Sequence, residues 1–178
     1  MDGQSEAAFE EFVLHRQAQL FRSAYLLTGD RGHAEDLVQS ALERTYRHWR
    51  RVDSAGNPAA YVQRIMINLA NDRWRSRHYV VETGLEAALS RAATSGQPES
   101  EQAESRDLVV RALRAVPIRM RAVLVLRYFE GLSEAETAAM LGCSVGTVKS
   151  QSARGLAKLR AVMTAEEDVA PARNGSSA

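Results

Sequence analysis

Apolar side chains recur every three or four residues along most of this 178-residue chain, and no segment shows the alternation of a half-buried strand. The helical spacing holds over residues 6–77 and again over residues 105–163. A helix with one apolar face must bury that face against another element, so each segment is expected to fold as a set of packed helices. The sequence therefore predicts an all-α protein, and its length allows one domain or two small ones.

The two periodic segments are separated by residues 78–104, which show no periodicity. This stretch contains TSGQPESEQAES, whose Ser, Gly, Gln and Glu content is typical of a flexible linker. Residues 164–178, TAEEDVAPARNGSSA, have a similar composition and are expected to form a disordered tail.

Local signals divide the first segment into helices. Thr28-Gly29 ends the first helix, and Asp30 caps a second one that is expected to extend to about Trp49. Residues 51–56 are expected to form a loop. Asn57-Pro58 then places a capping residue directly before a proline, a pairing typical of a helix start.

The net charge is only +1, but the charges are segregated along the chain. Residues 44–77 contain eight Arg and two acids, residues 111–129 contain five Arg and no acid, and residues 145–160 contain four basic residues and no acid. Residues 78–110 contain six acids and two Arg. Basic stripes on two separate segments indicate two contacts with one polyanion, although solvated helix faces would give the same counts.

Other features narrow the class of protein. Cys143 is the only cysteine, which excludes an internal disulfide and a Cys-rich metal site. The N-terminus is acidic and lacks a signal-peptide pattern, and no apolar run approaches the length of a membrane span. We therefore expect a cytoplasmic protein with no metal, no cofactor and no membrane insertion.

The stretch Gly142–Gly155, GCSVGTVKSQSARG, admits two interpretations. Its first five residues fit the G-x-S-x-G nucleophile elbow of a hydrolase, with Ser144 as the nucleophile. An elbow follows a strand, and the catalytic His follows the Ser in such enzymes. Here a helical pattern comes first, and all four His precede Ser144. The sequence thus disfavours an enzyme.

The same stretch fits a helix-turn-helix. Ser133 and Glu136 form a capping box for a short helix, Gly142 supplies a left-handed turn residue, and Ser144 caps the second helix. On that helix, five polar side chains share the face opposite Val148, as expected of a helix in the DNA major groove. They are Thr147, Ser150, Gln151, Arg154 and Lys158. A helical hairpin with a solvated basic face remains the alternative.

The helix after Pro58 carries a second polar face. Arg64, Asn68, Asn71 and Arg75 follow one another at helical spacing, and no acid lies among them. All four side chains can donate hydrogen bonds, which suits an anionic partner, although a solvated surface would show the same pattern.

Three stretches together resemble the extracytoplasmic-function (ECF) group of the sigma-70 family, near an actinobacterial SigE-like branch. HAEDLVQSALERTYRHW is similar to the region 2 helix that binds the clamp helices of RNA polymerase. NPAAYVQRIMINLANDRWR resembles the helix that reads the −10 element, with Asn68 and Asp72 at the family's Asn and Asp positions. LRAVPIRMRAVLVLRYFEGLSEAETAAMLGCSVGTVKSQSARGLAKLR resembles region 4 from end to end.

The resemblance implies two small all-helical domains, region 2 over residues 6–77 and region 4 over residues 105–163. It also implies a sigma factor with no catalysis of its own and no cofactor. Such a protein binds core polymerase and directs promoter recognition and transcription initiation by reading the −10 and −35 elements. Its partners would be the polymerase clamp helices for region 2, the polymerase flap for region 4, and both double-stranded and melted promoter DNA. The resemblance leaves open whether an anti-sigma factor is a further partner.

Residue roles carried over by position are expectations of the resemblance. Those facing the polymerase clamp would be Asp36, Gln39 and Glu43. Those in the loop that holds a flipped base of the non-template strand would be Arg51, Asp53 and Asn57. Those along the −10 DNA would be Arg64, Asn68, Asn71 and Arg75. Those in the −35 major groove would be Thr147, Ser150, Gln151, Arg154 and Lys158.

One residue departs from the family pattern. Many members have Arg where this chain has Gln151. Gln prefers adenine edges and Arg prefers guanine, so the −35 sequence cannot be carried over from the family.

Two other functions stay open at this point. One is a helix-turn-helix activator that binds DNA without polymerase, and the other is a helical interaction protein that binds no nucleic acid. Addition of core polymerase separates the three, because only a sigma factor gains promoter binding from it.

Overall fold

The computed structural model describes residues 3–82 and 101–169, and the side chains of residues 3–73 and 108–165. Within these ranges every regular element is a helix and no strand occurs, which confirms the all-α prediction. The α-helices are α1 Gly3–Thr28, α2 Arg31–Tyr46, α3 Trp49–Ser54, α4 Pro58–Glu82, α5 Glu101–Arg114, α6 Ile118–Leu124, α7 Glu134–Leu141 and α8 Val145–Val169. A π-helical segment, Val125–Phe129, continues α6.

The segment between α2 and α4 differs from the prediction. Helix α2 ends at Tyr46 rather than near Trp49, and Trp49–Ser54 form α3, which overlaps the loop predicted over residues 51–56. Burial of Trp49 explains the difference, because its ring is 2% exposed and packs against Phe9 and Phe12 with centroid distances of 5.1 and 5.2 Å. This long-range packing stabilises a short helix that the local signals do not indicate.

The predicted linker and tail are both partly helical. Helix α4 extends to Glu82 and α5 begins at Glu101, so the linker predicted over 78–104 is helical at both ends. Helix α8 extends through residues 164–169 of the predicted tail. No Gly or Pro interrupts the chain in these extensions, so nothing local ends the helices there. Residues 83–100 and 170–178 lie outside the described residues.

Three helix ends in the N-terminal domain follow the local signals closely. Asp30 Oδ1 accepts a hydrogen bond from the His33 amide at 2.8 Å, and Asn57 Oδ1 accepts one from the Ala60 amide at 3.1 Å. Gly29, with φ 70°, follows the end of α1, as the Thr28-Gly29 signal predicts. These ends confirm the predicted helix boundaries at residues 28–30 and 57–58.

The N-terminal domain, α1–α4, is organised around α1. Leu20 and Ala24 of α1 pack with residues of α2 and α4 in one buried cluster. Its other fully or largely buried members from these two helices are Ala34, Leu37, Val38, Ala41, Val62, Met66 and Ala70. The three helices that the sequence predicts for this domain correspond to α1, α2 and α4, and their apolar faces meet in a common core.

The C-terminal domain, α5–α8, has two small clusters. Val123, Ala138 and Val148 join α6, α7 and α8, while Leu113, Val116 and Leu124 pack against the inner face of α8. Gly155 of α8 lies against α6, where an added Cβ would be 3.2 Å from Leu124 side-chain atoms. A small residue at this position lets the two helices approach closely.

The two domains also contact each other directly. Leu27 and Ile67 of the N-terminal domain form one buried cluster with Ala122, Val125 and Leu126 of the C-terminal domain. Ile118, at the start of α6, belongs to the N-terminal core cluster. The sequence leaves the relative placement of the domains undetermined, and the structure supplies it.

The capping box at α7 generates a prediction about pH. Ser133 Oγ accepts from the Glu136 amide, and the Glu136 carboxylate accepts from the Ser133 amide at 2.7 Å. The Ser133 side chain, followed by the Ser133 amide, lowers the pKa of Glu136. A lowered folded-state pKa means that the charged carboxylate stabilises the fold above the ordinary Glu pKa. This contribution disappears as the pH falls through the lowered value.

We expect Glu136→Gln to lower the denaturation midpoint at neutral pH, with a deficit that shrinks as the pH falls through the Glu136 titration. Urea denaturation at a series of pH values measures this. Glu11→Gln, at an exposed site on α1, is the matched control and should show no such pH-dependent deficit. A deficit that stayed constant at acidic pH would contradict the role of the Glu136 charge.

Candidate nucleic-acid interface

Helices α7 and α8 form the predicted helix-turn-helix. Gly142 has φ 64° and ends α7, and the Cys143 amide donates to the Ala138 carbonyl at 3.1 Å. The Ser144 hydroxyl accepts from the Thr147 amide at 3.1 Å, so Ser144 is the cap of α8, as predicted. Val148 is fully buried, which fixes the opposite face of α8 toward the outside.

The outward face of α8 carries the predicted polar row. Ser150, Arg154 and Lys158 are exposed, whereas Thr147 and Gln151 are half-buried. In the described part of the chain, neither Arg154 nor Lys158 makes an ion pair. Two exposed cationic groups on one face, with no carboxylate partner, are suited to an anionic ligand.

Three contacts involve residues of this row or residues beside it. Ser150 Oγ donates to the Thr147 carbonyl at 3.0 Å, and the hydroxyls of Thr147 and Ser144 lie 2.9 Å apart. Lys149, counted among the basic residues of this segment, pairs with Glu134 of α7 at 3.6 Å. The cationic character of the outward face therefore rests on Arg154 and Lys158 rather than on every basic residue nearby.

The predicted polar face of α4 is only partly exposed to solvent. Arg64 and Asn68 are exposed. Asn71 is half-buried, and its Oδ1 is shielded from solvent without a hydrogen-bond partner. Arg75 lies on the same helix, but its side chain falls outside the described residues. The difference at Asn71 accompanies the burial of Ile67, one turn earlier, against the C-terminal domain.

The residues expected to hold a flipped base lie on and just after α3. Arg51 and Asp53 are exposed but belong to a helix, and Asn57 is exposed with its amide oxygen engaged in capping α4. Asn57, Tyr61 and Arg64 line a cleft of about 390 Å³. Its opposite wall consists of Leu132, two positions before α7, and of Glu136, Ala139 and Met140 on α7.

The three residues expected to face polymerase are exposed on α2. Gln39 Nε2 donates to Glu43 Oε1 at 3.1 Å, and Asp36 lies 3.7 Å from the guanidinium of Arg73 on α4. Gln39 and Glu43 are at the rim of a groove of about 750 Å³ between α1 and α2, which Asp36 does not line. The three residues thus share an exposed helix face, and two of them border a groove.

Helix α1 also lines this groove, a contribution that the sequence does not predict. Its apolar lining comes from both helices and includes Phe9, Val13, Phe21, Val38 and Leu42. The sequence of α1 does carry a signal for the groove, because α1 has more apolar residues than the core of the domain buries. At one end of the groove, the charge of Glu6 raises the pKa of Tyr46. Glu35 and Glu43 line the groove as well, so it combines an apolar floor with an acidic rim.

The described residues contain no group of three or more His, Cys, Asp or Glu residues placed to hold a metal ion. None of their helices is long and apolar enough to cross a membrane.

Comparison with known proteins identifies both helical segments. Residues 12–79 match the family model for Sigma-70 region 2, and residues 106–159 match that for Sigma-70, region 4. The chain is 40% identical over 165 residues to the RNA polymerase sigma-E factor of Streptomyces coelicolor, covering 89% of this chain and 88% of that protein. The chain belongs to the ECF group of the sigma-70 family. It is an RNA polymerase sigma factor that directs promoter recognition.

Other relatives of this sigma factor agree with the assignment. The ECF RNA polymerase sigma factor SigE of Mycolicibacterium smegmatis is 34% identical over 157 residues, covering 86% of this chain and 60% of that protein. Among solved structures, the sigma factor RpoE in complex with the anti-sigma factor NepR from Bartonella quintana matches with a TM-score of 0.65 and 25% identity, covering 88% of this chain and 97% of that one. CnrH in complex with the cytosolic domain of CnrY shares the fold, with a TM-score of 0.59, 24% identity and 90% of each chain covered.

Proposed function

We propose that α8 of this sigma factor reads the −35 element from the major groove. The observation that carries this proposal is the orientation of α8: Val148 is fully buried, while Arg154 and Lys158 are exposed without carboxylate partners. The polar row then lies on the exposed side of the helix, where it can meet a duplex. In this arrangement Arg154 and Gln151 contact base edges, Thr147 and Ser150 flank them, and Lys158 contacts phosphate.

The −10 strand is assigned to α3, the start of α4 and the polar face of α4. Arg64 and Asn68 support this assignment because they offer exposed donors along one side of the helix. Arg51, Asp53 and Asn57 lie next to them and are proposed to hold the flipped base. Asn71 and Arg75 complete the set on the strength of their helical spacing.

Core polymerase is assigned to α2 and the groove beside it. Gln39 and Glu43 border an apolar groove, and Asp36 lies on the same exposed face. A groove with an apolar floor and an acidic rim fits a partner helix with apolar and basic residues, and the clamp helices are the proposed occupant. The flap is proposed to bind the C-terminal domain.

Three broader proposals follow from family membership. The protein acts in the cytoplasm, where polymerase and DNA are found, and it has no catalytic activity of its own. We also infer that an anti-sigma factor is a partner, because RpoE and CnrH, which share its fold, form complexes with NepR and CnrY.

We expect Arg154→Ala to cost about 1–3 kcal/mol at one or two −35 positions and to relax the base preference there. Lys158→Ala should weaken binding more evenly and reduce the salt slope by about 1, as loss of one phosphate contact does. Selection from a randomised promoter library with holoenzyme, followed by titrations on single-base variants at several salt concentrations, measures both. Equal weakening on every sequence by Arg154→Ala would assign Arg154 to phosphate.

The same library without core polymerase tests the function itself. A sigma factor gains sequence-specific promoter binding when core polymerase is added. An activator would select the same sequences without core polymerase. That result would contradict the proposal that the −10 and −35 faces read DNA as part of a polymerase complex.

We expect Gln39→Ala combined with Glu43→Arg to weaken core polymerase binding by about 100-fold or more, because like charges then meet across the contact at a cost of several kcal/mol. Surface plasmon resonance against core polymerase measures the affinity, and circular dichroism checks that the helices remain. Glu11→Arg, exposed elsewhere on α1, is the matched charge-reversal control and should leave the affinity unchanged. If the double variant bound core polymerase with unchanged affinity, the proposal that polymerase occupies this groove would be wrong.

A further inference from the structure

The contact between the two domains includes a polar cluster at the surface of α1. The Glu130 carboxylate, just after the π-helical segment, accepts a hydrogen bond from Gln19 Nε2 at 2.8 Å and a second from the Ser23 hydroxyl. Ser23 is 2% exposed, so its hydroxyl has little access to water. We call Gln19, Ser23 and Glu130 the clasp.

Arg121 adds a second polar link between the domains. This side chain is 7% exposed and donates to the carbonyl of Leu27, near the end of α1, at 2.6 Å. Gly29 lies directly against Arg114, since an added Cβ would be 2.2 Å from Arg114 Cγ. Together with the buried apolar cluster around Leu27 and Ile67, these links hold the C-terminal domain close to α1 and α4.

This arrangement places α7 opposite the proposed −10 face. Asn57 and Arg64 line one wall of the cleft between α4 and α7, and Glu136 lies on the other wall. A DNA strand following α4 would have to enter this cleft, where a carboxylate opposes its phosphates. Access of a DNA strand to this face of α4 is therefore restricted both by the presence of α7 and by the negative charge of Glu136.

The other two proposed surfaces stay accessible in the same arrangement. Ser150, Arg154 and Lys158 of α8 are exposed. The groove beside α2 is lined by residues of α1 and α2 alone. The domain contact thus distinguishes one binding surface from the other two.

We propose that the clasp holds the free protein in a closed state that masks the −10 strand-binding face while leaving the −35 helix and the polymerase groove accessible. This inference rests on the proposed function for the identity of the masked face. The closed state reduces the apparent affinity for single-stranded DNA by the fraction of molecules that are open. Separation of the domains restores it.

The test uses an isosteric change in the clasp. Gln19→Glu replaces the amide donor with a carboxylate beside Glu130, which converts an attraction into a repulsion. The double variant Q19E/E130Q restores a donor and an acceptor with their positions exchanged. Gln4→Glu makes the same chemical change at an exposed position of α1 and is the matched control.

Domain separation is measured in the full-length protein by pulsed electron paramagnetic resonance. Spin labels at Arg47→Cys and Ala157→Cys, both exposed positions, report the distance in a Cys143→Ser background. Gln19→Glu should shift the closed-to-open ratio by roughly tenfold or more, the effect of losing a hydrogen bond to a charged group. Gln4→Glu and Q19E/E130Q should both retain the wild-type distance distribution. An unchanged distribution in Gln19→Glu would overturn the clasp.

Masking is measured by fluorescence anisotropy with random-sequence 20-mers, single-stranded in one series and duplex in the other. Gln19→Glu should raise the single-strand affinity by up to the same factor as the shift in the closed-to-open ratio and leave duplex affinity unchanged, and Q19E/E130Q should abolish the gain. Domain opening without any gain in single-strand affinity would overturn the masking.

Arg64→Ala in the Gln19→Glu background separates this proposal from the proposed function. Loss of the gain supports both the masking and the −10 assignment of α4. A gain that survived Arg64→Ala would show that the strand binds elsewhere, which overturns the −10 assignment and the masking of that face even when the clasp itself opens as expected.

Discussion

One buried guanidinium links three parts of the fold. Arg121 donates to the carbonyl oxygens of Arg114 and Val116 at the corner between α5 and α6, and to that of Leu27 on α1. Burial, followed by the charge of Arg114, lowers the pKa of Arg121 to about 10, so the side chain remains protonated at neutral pH. A charge in such a place is tolerated only when hydrogen bonds replace water. The position of the corner and its approach to α1 both depend on these bonds.

Features set by local chemistry were predictable from the sequence, and those set by distant contacts were not. The caps at Asp30 and Ser144 and the left-handed Gly142 depend on neighbours within a few residues, and the structure confirms them. Helix α3 depends on Trp49 packing against α1, and the clasp joins Glu130 to residues more than 100 positions away. Arg121 belongs to a stretch whose charge count suggested a basic surface, yet it is buried. Charge counts cannot distinguish such a residue from an exposed one, because periodicity gives only the helix face and not what covers it.

The three proposed binding surfaces differ in how the fold presents them. The polar row of α8 and the groove beside α2 are each formed within one domain, so they need no rearrangement before a partner binds. The −10 face is different, because Arg64 shares a cleft with Glu136 of the other domain and Asn71 is half-buried. An order of events follows from this difference. Polymerase can bind the closed protein first, and the strand-binding face becomes available only after the domains separate.

The free energy that holds the two domains together has an upper limit, because polymerase binding must be able to separate them. Full exposure of Leu27, Ile67, Ile118 and Leu126 on domain separation would cost roughly 6–12 kcal/mol at about 1.5–3 kcal/mol per side chain. That range reaches the whole free energy of a nanomolar complex, about 12 kcal/mol, so polymerase binding could not supply it and still leave a stable holoenzyme. Each of these side chains must therefore keep much of its burial within its own domain when the domains separate. The hydrogen bonds between the domains can then set the balance between the closed and open states. When the domains separate, water replaces the partners of Glu130 and of the Leu27 carbonyl, at a net free-energy cost of about 1–3 kcal/mol for each bond. A balance of that size is stable enough to close the free protein and small enough for a binding partner to reverse.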